Sequence, residues 1–383
     1  MIANYWPLNP HNDSIAPIPM NSRVTIDSVA APTRTIIVPT YKDHFPFAVR
    51  FLKNYCRRVR DRTPIPVHFI TSDRDETAEF SHLIAQGGPG VRAHVSVTSI
   101  RDLLDQFGYP KEAAAAFSVN TFTNKASYQS IKKIMGVIQL GYDQTLVLDC
   151  ECFVYRPVSF HQIFDEYFAG PMVFHSEIRC SISDQVNRAS LSVIGASEAT
   201  APEIYRRWIF DYYGWFFEKD AVRQFQEHVE NVHRKSLVDV LVETPDVFEI
   251  ISYRWFLYLN RERFPRYRFL PAEDLIREYL GNAAEAYLGQ YEDRGHGIVE
   301  GLFRGLSPEA FAGLGSFVNR YRLRFFRFDR SSDDQYHLVL RFLRTHPELA
   351  VMVSTTLGPE LFSWNYWTRQ SAKRILRRMG LRS

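Results

Sequence analysis

Short β-branched runs alternate with amphipathic helical stretches in the first half of the chain, and this pattern most constrains the fold. Thr35-Ile36-Ile37-Val38 stops at Pro39, and Val67-His68-Phe69-Ile70 closes in Thr71-Ser72-Asp73. A third apolar run, Val91 to Val97, follows Gly87-Gly88-Pro89-Gly90. Between them, residues 46–60 repeat Phe47, Phe51, Leu52 and Tyr55 near helical spacing, and 75–86 reads as a second helix. Parallel strands need long crossovers, and helices supply them, so the succession predicts an α/β fold. Its sheet is mainly parallel and covered on both faces. Ligands bind such sheets beyond the carboxyl ends of the strands. Pro39, Thr40, Tyr41 and Asp73 fall there and are the first candidate binding residues.

The clearest helix spans 124–140. Ile131, Ile134, Met135 and Ile138 recur at i, i+3, i+4 and i+7, forming one apolar stripe, and Gly141 supplies the stop. Thr145-Leu146-Val147-Leu148 then reads as a buried strand running into Asp149-Cys150-Glu151-Cys152. Where a strand ends the chain bends, and two carboxylates spaced i and i+2 can converge on one hard cation. Such an ion keeps positions open for diphosphate oxygens. It neutralises charge that develops on a nucleoside-diphosphate leaving group. The plainer reading of the same pair is an acidic turn. Cys150, between the acids, is expected to face the core.

The segment Leu148-Asp149-Cys150-Glu151-Cys152-Phe153-Val154-Tyr155-Arg156-Pro157 resembles the motif of GT-A glycosyltransferases. In that class an Asp-x-Asp pair follows an apolar strand and a basic-Pro pair comes after. The resemblance covers roughly residues 34–180 and implies a GT-A-like, Rossmann-like sheet. It also implies a nucleotide-sugar donor, a Mn²⁺ or Mg²⁺ cofactor, and transfer of the sugar to an acceptor. Asp149 and Glu151 are then the metal ligands, with Glu151 departing from the usual second Asp. His296, flanked by Gly295 and Gly297, is a candidate third ligand. Pro39-Thr40-Tyr41 would border base and ribose, Asp73 would accept from either, and Lys125 would reach a phosphate.

For the acceptor side, Asp246 to Trp255 sets acids among large aromatics. A carboxylate there can remove the acceptor hydroxyl's proton; Glu249 is the first candidate and Asp246 the second. The alternative is a capped, buried amphipathic helix. His175, after the run Met172-Val173-Phe174, is a candidate for the acceptor pocket.

Four regions are expected: an irregular lead-in at 1–32, a nucleotide-sugar-binding half at 33–190, an acceptor-side half at 191–300, and a helical region at 301–383. Within the third, 219–242 reads as one charged amphipathic helix. The last twenty residues, WNYWTRQSAKRILRRMGLRS, carry six Arg and Lys, two Trp and no acid. That composition suits a helix lying on an anionic membrane surface, where a lipid-linked acceptor would be met. A solvated terminal helix is the alternative.

Lys and Arg total 46 against 43 acidic residues, too even a balance for a nucleic-acid partner. Four cysteines without CxxC spacing read as reduced thiols. No run of about 18 apolar residues exists, and residues 1–19 lack the pattern of a secretory signal. A cytoplasmic protein, peripheral at the inner membrane face, is the expectation. Two other functions remain open. A sugar-phosphate nucleotidyltransferase shares the scaffold, but it usually carries a Gly-rich basic loop where this chain has Pro39-Thr40-Tyr41-Lys42-Asp43. A non-catalytic membrane-surface scaffold with a transferase-like fold is the other.

Overall fold

A computed structural model describes residues 31–87, 94–111, 125–154, 156–177, 181–209 and 214–292, with short pieces between 313 and 354. The chain divides at Pro32, and all elements below belong to Thr33–Ser383. In chain order the strands are β1 (Arg34–Pro39), β2 (Val67–Thr71), β3 (Val95–Ser99) and β4 (Gln144–Val147). They continue with β5 (Cys152–Val154), β6 (Met172–Ser176), β7 (Trp208–Ile209) and β8 (Trp215–Glu218). The last three are β9 (Arg268–Pro271), β10 (Phe325–Arg327) and β11 (Met352–Ser354).

The central sheet has the order β3-β2-β1-β4-β8. β1 lies in the middle, parallel to both neighbours, with Ile36 opposite Val67 and Leu146. β3 is parallel to β2, whereas β8 returns antiparallel along β4. The fold is therefore mixed α/β with a mainly parallel sheet, as the alternation predicts. Ile36, Ile37 and Val38 are fully buried, each contributing about 1.5–3 kcal/mol by leaving water. β3 starts later than the Val91–Val97 run suggests. Two three-stranded sheets flank this core, one of order β10-β11-β5 and one of order β7-β6-β9.

The helix Lys125–Leu140 packs on β1 and β2 and is enclosed by the helices Ile100–Phe107, Lys219–His233, Leu237–Glu243 and Glu249–Leu259. Ile131, Ile134 and Met135 are fully buried, as their stripe predicts. Enclosure also buries residues off the stripe, including Lys132 and Lys133. Gly136 permits the close approach to the sheet: a Cβ there would overlap Ile70 Cδ1 and lie 3.3 Å from Ile37 Cδ1.

One helix expectation fails. Residues 219–242 form two helices, Lys219–His233 and Leu237–Glu243. Arg234 adopts a left-handed conformation (φ 55°) that ends the first. Ser236 caps the second by accepting from the Asp239 backbone N–H. A Ser with an acid three residues on is a helix-start signal that the long amphipathic pattern masked. His296 and the basic tail 364–383 lie outside the described residues. No described helix is long and apolar enough to cross a membrane.

Candidate active site

Parallel strands bring their carboxyl ends to one edge, and the segments after β1, β2 and β4 meet there. The backbone ladder continues past the strands: Thr40 N donates to Ile70 O at 2.8 Å and Leu148 N to Ile37 O at 2.9 Å. A cavity of about 360 Å³ opens at this edge. Pro39, Tyr41, Asp43 and His44 line it from the first segment, and Ser72 and Glu76 from the second. Asp149, Cys150 and Glu151 come from the segment after β4, and Tyr128 and Gln129 from the helix preceding it.

The two loops on the β1–β2 side are tied together by Glu76. One of its oxygens accepts from Lys42 N at 3.0 Å and the other from Ser72 N at 2.8 Å. Asp73 caps the helix Arg74–Ala85, accepting from Glu76 N at 2.9 Å. Asp73 is thus spent on a cap and does not line the cavity; its neighbours Ser72 and Glu76 do. The Asp-x-x-Glu spacing was the sequence signal for this arrangement. Thr40 is buried and contributes its carbonyl to Lys132 rather than a side chain to the cavity. Tyr41 stacks on His44, ring centroids 4.1 Å apart at 29°, and presents a flat apolar surface.

Behind the cavity lie two lysines that the sequence pattern did not single out. They sit one turn beyond Tyr128 and Gln129 on the same helix, so each follows a lining residue at i+4. Lys132 Nζ donates to Thr40 O at 2.9 Å and to Ser72 Oγ at 3.0 Å, with the Tyr128 ring 4.9 Å away. Burial lowers its pKa to about 8, although Glu76, Asp73 and Cys150 pull in the opposite direction. Lys133 Nζ lies 3.1 Å from Asp149 Oδ1 and 3.4 Å from the centre of the Trp215 ring. Lys125, the candidate raised from sequence, opens this helix. Its side chain falls outside the described residues.

Glu249 is buried rather than open to the cavity. It is 1% exposed at the start of the helix Glu249–Leu259 and does not line the cavity. Neither carboxylate oxygen has a hydrogen-bond partner of good geometry among the described residues, and the nearby Ser130 hydroxyl donates to Val247 O at 3.1 Å. Burial raises its pKa, with Lys133 and Ser130 counteracting. Its electrostatic interaction with Lys133 places it in a buried charge network with that lysine. Asp246 holds a left-handed backbone (φ 60°) and accepts from Gln185 Nε2, also away from the cavity. His175 lines a second, wider cavity of about 910 Å³ with Glu177, Arg207, Glu273 and Arg277. Burial and then Arg207 lower its pKa.

Cys150 meets both core and cavity. It is buried in the core cluster, as expected, and it also lines the cavity: Sγ lies 3.3 Å from His44 Nδ1 and 3.2 Å from Glu151 Oε2. Burial and then Glu151 push the thiol's pKa well up. The turn from Asp149 to Cys152, closed by Cys152 N donating to Asp149 O at 3.0 Å, sets this orientation. Lys133 pairs with Asp149, while Glu151, one methylene longer than Asp, reaches the thiol. The residues suit a divalent cation: a His44 ring nitrogen, Cys150 Sγ and a Glu151 oxygen all lie within 4.8 Å of one another.

No protein-family model matches the chain, and no curated protein sequence matches it. Similar solved structures include mouse xyloside xylosyltransferase 1, at 11% identity and TM-score 0.36, covering 69% of this chain and 94% of that one. Core-mannan synthase A from Aspergillus fumigatus, in a Mn/GDP form, is similar at 8% identity and TM-score 0.38, with coverages of 63% and 73%. The galactosyltransferase LgtC, solved with donor and acceptor sugar analogues, is similar at 10% identity and TM-score 0.35, with coverages of 75% and 95%. At such identities and scores, function has to be read from the site.

Proposed function

We propose that this chain is a metal-dependent glycosyltransferase that takes a nucleoside-diphosphate sugar into the cavity at the carboxyl edge of β1, β2 and β4. The observation that carries the reading is the convergence of three strand ends on one cavity rich in carboxylates. Asp43, Glu76, Asp149 and Glu151 line it, and among the described residues no lysine or arginine does. A diphosphate entering such a lining is repelled unless a cation accompanies it, so donor binding should require a divalent ion. When bound, that ion neutralises charge on the departing diphosphate. Glu151 has no ion pair among the described residues and is the carboxylate assigned to hold it. Asp149, paired with Lys133, fixes the turn that presents Glu151.

Tyr41, braced by His44, offers the base or ribose a stacking face. Ser72 and the backbone tied by Glu76 continue the lining on the β2 side. Lys132, behind the lining, offsets part of its negative charge. The acceptor is a hydroxyl of a glycan or of a lipid-linked glycan. The second of these rests on the basic, Trp-bearing composition of residues 364–383.

Thermal unfolding with a panel of nucleoside diphosphates, with and without a divalent cation, tests the donor site. A ligand that binds only the native state raises the melting temperature by mass action. The expected result is a shift with one base that needs the cation and is lost in Glu151→Ala. Absence of a shift with every base would remove the donor site. Nucleotide-sugar formation from a sugar phosphate and a nucleoside triphosphate, without transfer to an acceptor, would favour the nucleotidyltransferase instead.

A further inference from the structure

We propose that His44, Cys150 and Glu151 form a binding site for a borderline-soft divalent cation of the zinc or cobalt type, with an open coordination position facing the cavity. This concerns the identity and ligands of the ion, and it stands or falls without any nucleotide.

The donor set is the first argument. It combines an imidazole nitrogen, a sulfur and a carboxylate oxygen. Magnesium and calcium favour all-oxygen sets, whereas sulfur and imidazole together select zinc-like ions. Distance is the second. Bonds of about 2.0–2.3 Å in a tetrahedral site place neighbouring donors about 3.3–3.8 Å apart. The nitrogen–sulfur and sulfur–oxygen separations are already 3.3 and 3.2 Å. All three atoms fall within 4.8 Å of each other, so an ion needs little more than rotamer adjustment to enter.

Support around the ligands is the third argument. The His44 ring is held between Tyr41, stacked at 4.1 Å, and Phe47, edge-on at 5.4 Å. Cys150 is held by the turn between β4 and β5, and Lys133 pairs with Asp149. Three protein ligands with one position toward a cavity is the pattern of sites whose ion also meets a substrate oxygen. On binding, the thiol releases its proton to solvent and its sulfur donates an electron pair to the ion; nothing is oxidised or reduced.

The test uses the purified full-length chain and Co²⁺ alone. The expected result is one equivalent bound, with a thiolate-to-cobalt charge-transfer band in the near ultraviolet and tetrahedral d–d bands in the visible. Zn²⁺ should bleach both, and excess Mg²⁺ should not. Cys150→Ser should abolish the charge-transfer band, whereas the exposed Cys56→Ser should keep it. His44→Asn should weaken Zn²⁺ binding in calorimetry by about 100-fold or more, above the 10–100-fold typical of an outer-shell partner. If Cys150→Ser does not fold, alkylation of Cys150 in the wild-type chain, followed by peptide mass, replaces it: Zn²⁺ should slow that reaction. A cobalt complex without the band, a band that survives Cys150→Ser, displacement by Mg²⁺, or unprotected alkylation would each overturn the proposal. A cobalt band with no nucleotide response would keep this site and reject the transferase. A Mg²⁺-dependent nucleotide shift without the band would do the reverse.

Discussion

Replacing Lys132 with methionine separates the stability of this fold from the charge stored beneath its cavity. The amine is fully buried, and its pKa is lowered from the ordinary 10.5 to about 8, chiefly by burial. Holding it charged near neutrality costs about 3 kcal/mol relative to the unfolded chain. Between pH 8 and 10.5 the unfolded chain binds the proton that the folded chain has released. Stability from this group therefore rises with pH across that window. Methionine keeps the stem, drops the amine, and leaves Thr40 O and Ser72 Oγ without their donor. That loss, about 1–3 kcal/mol for each group left unsatisfied, does not depend on pH. Urea unfolding of both proteins should show the wild type gaining about 2 kcal/mol on the variant between about pH 7 and pH 9.5. Cys150 and the buried tyrosines, whose pKa values are raised, push stability the other way at high pH. They are present in both proteins and cancel in the difference. A difference that stays flat with pH would refute the assignment of a strained, buried ammonium.

Further outcomes follow from the packing around this lysine. Lys133→Met should cost about 3–5 kcal/mol in urea unfolding, because Glu249 and Asp149 lose their shared cation. Adding Glu249→Gln should recover part of that, and strictly additive effects would show that the two side chains do not interact. Glu249→Gln alone should change the pH profile. The folded pKa of Glu249 is raised from 4.5, so its contribution is full below that value and is lost as pH climbs through the folded pKa. Stability measured across that range should fall less steeply in the variant; parallel curves would mean that Glu249 is not strained. Gly136→Ala should destabilise by about 1–3 kcal/mol through overpacking against Ile70, despite alanine's helix preference of about 1 kcal/mol. A melting temperature at or above that of the wild type would show that the helix does not sit this close to β2.

The central strands and the helix between them were legible in the residues themselves, whereas the break at Arg234 was not. The runs around Ile36, Val67 and Leu146 have the length and composition of buried strands, and the Ile131–Met135 stripe has helical period. These are properties of neighbouring residues, and local sterics and hydrophobic periodicity decide them. A parallel sheet follows from the alternation, and a parallel sheet collects its strand ends at one edge. The acidic segment after β4 was therefore legible as part of a site. What faces what was decided by tertiary structure. His44 and Cys150 are 106 residues apart and meet only because β1 and β4 pair in register. Lys132 and Lys133 read as a polar step in an amphipathic helix, yet helices on its other sides leave them no water. Glu249 reads as an acid among sugar-binding aromatics, yet the same enclosure turns it into a buried partner of Lys133. A side chain's exposure depends on elements distant in sequence, which no local period encodes.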